Sequence, residues 1–170
     1  LSVEHINDSA KYVVPPEIGQ PDAWTQAGGS QRLLGAAVGA APADARSALQ
    51  LPDGAETVRR SRLILRDGEP MEVAVSYWPA NWAAGTALAE PRRIKGGTMR
   101  LLADLGWRTR SWTDEVDAFL SDEIKEPGVP AGVPVLAIFR TMLSESGTPF
   151  EYIVMYRWNR ERQRYSGEVA

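Results

Sequence analysis

The sequence predicts an α+β domain: one mostly antiparallel sheet built from two β-α-β-β repeats, with the helices on one face. Three observations carry this. Two decapeptides share a Gly-x-Pro-x-Glu opening and a Tyr end, Gly68 to Tyr77 ("GEPMEVAVSY") and Gly147 to Tyr156 ("GTPFEYIVMY"). The match extends upstream in order, with Pro52-x-Gly54 over Pro130-x-Gly132, Val58 over Leu136 and Arg62 over Arg140. The register slips by one residue only at the turn before Gly68 and Gly147, where insertions are tolerated. Ordered matches of this kind point to an internal duplication.

Each unit reads the same way. A leading strand is expected near 31–38 in the first and 108–119 in the second. A short helix follows, Pro42 to Leu49, where Pro suits the first turn, and Ser121 to Glu126, with Ser121 as N-cap. Pro-x-Gly makes a turn. The hairpin strands are Glu56 to Leu65 with Met71 to Trp78, and Pro134 to Leu143 with Phe150 to Trp158. Asp67-Gly68 is a strong hairpin turn, and "SESGT" is a longer one. Between the units, Thr98 N-caps a helix whose apolar side is Met99, Leu101, Leu102 and Leu105, and Gly106 ends it. Residues 1–30 hold Pro15, Pro16, Pro21, Gly28 and Gly29 and read as an irregular arm. Residues 31–170 form the domain proper, with "RQRYSGEV" as a last strand.

Composition narrows the chemistry. With 170 residues, 44% of them hydrophobic, the chain can bury one substantial core. Cys is absent and His5 is the one histidine, which disfavours disulfides, thiolate or His-based metal sites and a His-activated Ser30, Ser76 or Thr98. No metal, cofactor or catalytic residue is expected. No stretch of 18 apolar residues occurs, so no membrane span is expected, and a cytoplasmic setting is the simplest. A net charge of -3 argues against nucleic-acid binding by this piece alone.

Strand alternation groups the candidate site residues. Arg60, Arg62 and Ile64 share a face, as do Glu72, Ala74 and Ser76; Ile138, Arg140 and Met142; and Glu151, Ile153 and Met155. Each unit thus sets an Arg and a Glu among apolar neighbours. They are either exposed cross-strand charges or a cleft in which a guanidinium clamps an anion and a carboxylate takes hydroxyl or amine hydrogens. Hairpin register, and with it whether each Arg faces its Glu, stays open. The candidate ligand-contacting residues are Arg62, Ser76, Tyr77, Thr98, Arg140, Glu151 and Tyr156. Gly96-Gly97-Thr98 is a second anion-binding candidate at a helix start. Asp114, Glu115 and Asp117 read as a solvated face, and most of the six tryptophans as core.

The combination of Arg62, Leu65 to Thr86, Gly96 to Gly106, Thr113 to Phe119, Pro134 to Thr141 and Gly147 to Tyr152 resembles the UTRA domain. UTRA is the effector-binding domain of bacterial GntR-type regulators of the HutC branch, and the resemblance covers about residues 31 to 169. It implies a chorismate-lyase-like fold, homodimerisation and a small-molecule effector that alters operator affinity. It also implies a winged helix-turn-helix preceding the arm, through which alone operator DNA is bound. Sugar-phosphate-binding members carry Arg-x-Arg where this chain has Arg62 and Ile64. They carry Ser-x-Tyr where it has Gly97 or Thr98 followed by Met99. Glu151 is retained. An anionic effector is the expectation, without the family's way of holding a sugar phosphate. The rival reading is a chorismate-lyase-like enzyme acting on an aromatic carboxylate.

Overall fold

The computed structural model describes residues 5–8, 28–159 and 161–164. Six strands form one antiparallel sheet: β2 (Gly29–Ala40), β3 (Glu56–Arg66), β4 (Glu69–Pro79), β5 (Thr109–Leu120), β6 (Pro134–Ser144) and β7 (Pro149–Arg157). Their order is β2-β3-β4-β7-β6-β5, so the two hairpins meet at β4 and β7 in the middle. Helix α1 (Ala43–Ala48) joins β2 to β3, α2 (Ala80–Ala83) and α3 (Thr98–Asp104) lie between the halves, and a 3-10 turn (Ser121–Glu123) follows β5. A separate parallel pair joins β1 (His5–Asp8) to β8 (Glu161–Arg164).

The strands fall where alternation and turn chemistry put them. Asp67 (φ 50) and Gly68 (φ 84) both take the left-handed region, which a two-residue turn requires to match strand twist. Four details differ from expectation. Residues 5–8 of the arm are a strand, paired with 161–164; the rest of the arm up to residue 27 lies outside the described residues. Ser121 caps no helix. Only a 3-10 turn forms, and its hydroxyl accepts from the Val133 N–H at 3.0 Å. Thr98 is not the N-cap of α3 but its first residue; Gly97, at φ 84, is the cap.

The fourth difference is that helices cover both faces. β4 is buried from Met71 to Pro79, and β7 is almost wholly buried from Pro149 to Met155, so neither face of the sheet centre can be left to water. On one face Val58, Trp78, Met142 and Phe150 pack against Ala83, Leu88, Ile94 and Leu102 of the 80–104 segment. On the other, Leu63, Val73, Val75, Tyr77, Tyr152 and Val154 pack against Ala45 of α1 and Leu49 just after it. No helix among the described residues is long and apolar enough to cross a membrane.

Candidate functional site

The face beneath the 80–104 segment carries the charges. Residues paired across adjacent strands project to the same side. Arg62 stands opposite Ala74, Ala74 opposite Met155 and Ile138 opposite Met155. In the next row Ser76 stands opposite Ile153, which pairs with Arg140, which pairs with Asp114. Beyond that, Glu151 stands opposite Met142 and Met142 opposite Trp112. Arg62, Ser76, Glu151, Arg140 and Asp114 thus form a polar band over five strands. It is bounded at one end by the Trp78–Met142–Phe150 cluster and at the other by Ala74, Ile138 and Met155.

Register answers the question the sequence left open. Neither Arg faces the Glu of its own hairpin: Glu72 is opposite Ile64, and Arg140 is opposite Ile153. Glu72 instead binds Arg157 across the β4–β7 seam. Nor are these charges exposed, since Glu72, Arg140 and Glu151 are all buried. Arg140 holds Asp114 in a fork, Nε to Oδ1 at 2.6 Å and Nη2 to Oδ2 at 2.7 Å, with side chains 6% and 4% exposed. Its guanidinium carbon also lies 5.6 Å from the centre of the Trp112 ring. Asp114 is therefore not part of a solvated face, because alternation turns it inward beside Trp112; Glu115 and Asp117 are exposed as expected.

Arg62 and Glu151 are differently placed. Arg62 Nη2 donates to Ser76 Oγ at 2.9 Å, while its buried Nε lacks a partner. Burial lowers its pKa against the opposing pull of Glu151 and Glu72, yet a guanidinium stays charged. Glu151 is 2% exposed, and its Oε2 has no hydrogen-bond partner. Burial pushes the Glu151 carboxyl up to about 7, against weaker opposite effects from Arg62, Ser76, Trp78 and Arg140. The Trp78 indole Nε1 is near enough to contribute but has no hydrogen bond of its own.

Of the sequence-stated candidates, the fold brings Arg62, Ser76, Arg140 and Glu151 together. Thr98 is buried at the start of α3, whose Leu102 packs at the edge of the band. Tyr77 and Tyr156 lie on the opposite face, where Tyr77 and Tyr152 ring centres are 6.2 Å apart. There burial raises the phenol pKa values of Tyr77, Tyr152 and Tyr156. At seven residues, α3 is too short for a strong dipole at Gly96-Gly97-Thr98. Two residues escaped the sequence reading. Asp114 was concealed by its exposed acidic neighbours, and alternation with Trp112 was the available signal. Arg60, two positions before Arg62, donates to the carbonyls of Glu90 at 2.8 Å and Arg92 at 2.6 Å, fastening the covering segment to β3.

The UTRA domain family model matches residues 29–162. An uncharacterized HTH-type transcriptional regulator of Streptomyces coelicolor is 29% identical over 119 residues, which is 67% of this chain and 44% of that protein. The chain thus spans less than half the length of that relative. The fold is similar to the ligand-binding domain of a GntR-family transcriptional regulator from Bordetella bronchiseptica, with TM-score 0.68 at 19% identity over 92% of this chain and 95% of that one. It is also similar to the effector domain of PhnF from Mycobacterium smegmatis, with TM-score 0.71 at 18% identity over 86% and 93%.

Proposed function

The chain belongs to the UTRA domain family, and on that premise we propose that it senses a small molecule for a cytoplasmic, homodimeric DNA-binding regulator of the HutC branch. It is the effector-binding domain of a GntR-family transcriptional regulator and not an enzyme. The observation that carries the site is the Arg62–Ser76–Glu151 part of the polar band. There a buried guanidinium N–H and a buried carboxylate oxygen lack partners between two apolar clusters. Buried polar groups are ordinarily satisfied, and an effector reaching this band would satisfy them. Arg62, Ser76, Glu151 and Thr98 are the proposed contacts, Arg140 supports them through Asp114, and Tyr77 and Tyr156, packed on the opposite face, are not among them.

We read the two halves as diverged copies of one unit. The strand order, symmetric about the β4–β7 seam, supports this, as does the recurrence of strand, helical turn and hairpin. The arm would connect to a winged helix-turn-helix, and effector binding would shift the dimer between arrangements that differ in operator affinity. Apolar Val116 and Leu120, exposed on edge strand β5, support self-association. The test is a mobility-shift assay of the full-length regulator on its own promoter region, with and without metabolite fractions. A sequence-preferring shift that a small-molecule fraction alters, and that Arg62→Ala no longer lets it alter, is expected. Absence of any sequence-preferring binding would sink the reading.

A further inference from the structure

Resting on the reading of this band as the effector site, we infer that the effector is a small zwitterion, its carboxylate on Arg62 and its protonated amine on Glu151. The other charged side chains of this face are engaged from within, in two ion pairs and, for Arg60, by carbonyls alone. Arg140 is taken by Asp114 and Arg157 by Glu72. Arg60 is spent on the carbonyls of Leu88, Glu90 and Arg92. Arg62 and Glu151 are the cation and the anion of the band held neither by an ion pair nor by backbone carbonyls, and each has an unpartnered buried atom, Arg62 Nε and Glu151 Oε2; Arg60 Nε is a third such atom. Among the described residues no hydrogen bond or ion pair joins the two.

Burying a charge without a counter-charge is costly, so the ligand that fits is the one that answers both signs. A phosphate ester satisfies Arg62 but sets its own charge against Glu151. A bare amine does the reverse, and a neutral sugar answers neither. A zwitterion supplies an anion to the fork of Arg62 and an ammonium to Glu151. It also restores the ionised carboxylate that burial alone opposes. Arg62 and Glu151 stand on β3 and β7 with β4 between them. Arg62 shares a row with Met155, four residues along β7 from Glu151, so the Arg62 and Glu151 backbones lie roughly 16 Å apart on the diagonal, with Ser76 between them taking a hydrogen bond from Arg62. Ile64, Ala74, Ile138, Met155 and Trp112 give the surroundings an apolar body to match.

The experiment is thermal-shift screening followed by calorimetry on this chain. The zwitterion arm holds the twenty L-amino acids, glycine betaine, β-alanine, 4-aminobutyrate and 5-aminovalerate. The control arm holds the matching carboxylic acids without the amine, the matching amines without the carboxylate, inorganic phosphate, glucose 6-phosphate and glucosamine 6-phosphate. A stabilising zwitterion is expected, with its deaminated and decarboxylated analogues each bound more weakly by about tenfold or more, the loss that goes with one charge-assisted hydrogen bond. In Glu151→Gln the zwitterion's advantage over its deaminated analogue should shrink, and Arg62→Lys should weaken both. The analogue comparison on the unaltered chain stands even if a variant fails to fold. A phosphate ester or simple carboxylate that binds as well as every zwitterion overturns the inference and leaves the effector site standing. No binding in either arm that responds to Arg62→Lys or Glu151→Gln overturns both.

Discussion

At the scale of single residues, Glu151 dominates the behaviour of the free domain. Its carboxyl is pushed up to about 7 by burial, so the folded state holds a proton that the unfolded chain releases near 4.3. Stability from this group is therefore fully present below about pH 4 and declines as pH rises toward about 7, then levels off. The whole span corresponds to roughly 4 kcal/mol. Urea denaturation of the free domain at pH 5 and pH 8 should show the loss, and Glu151→Gln should flatten the difference. An unaltered domain equally stable at both pH values would refute this account. Much of the residue scale was legible in advance. Alternation alone groups Arg62 with Arg60 and Ile64, Ser76 with Glu72, Arg140 with Met142 and Glu151 with Met155, each within its own strand; that the four groups share one face takes the register. The partners were not legible, because they depend on register between strands: Glu72 meets Arg157 and Arg140 meets Asp114 only once β4 lies on β7 and β5 on β6.

At the scale of elements, the strands were readable because Asp67-Gly68 and the Gly-x-Pro starts fix hairpins locally, whereas the helical pieces were not. Residues 121–126 form only a short 3-10 turn, and α2 was not foreseen within "YWPANWAAGT". Short helices depend on tertiary packing more than on propensity. The β5–β6 ladder shows what such packing holds. Asp114→Ala would leave the Arg140 guanidinium buried without its counter-charge, at a cost of about 3 kcal/mol or more. Removing Asp104 from its exposed i,i+4 pair with Arg100 should cost no more than about 0.5 kcal/mol. Chemical denaturation of the two variants side by side checks the contrast; equal losses would contradict the assignment of Asp114 as a buried partner.

Across the whole molecule, each half sends a connection onto the other. α1 follows β2 yet contacts β7. The segment after β5 crosses back to β3 and β4, where Glu126 binds Arg59 and Gly128 sits over Val73 and Leu63. Gly128 has φ +96, and an added Cβ would lie 3.4 Å from Val73 Cγ2. Gly128→Ala should therefore destabilise the domain by about 1–2 kcal/mol, measured as a lowered urea midpoint. An unchanged midpoint would mean that the crossing yields freely. That both faces are covered, rather than one, was the main global feature not anticipated. It follows from Met71 to Pro79 lying at the sheet centre, which alternation within one strand does not reveal.

Arg60 and Arg62 lie two positions apart on the same face of β3, and burial followed by the charge of Arg62 lowers the pKa of Arg60. Arg60 is also the clasp on the carbonyls at 88–92. An anionic group arriving at Arg62 would relieve the repulsion between the two guanidiniums and so would tighten the clasp. Occupancy of the proposed site would then be felt as firmness of the covering 80–104 segment, a signal carried as stiffness without a strand having to move.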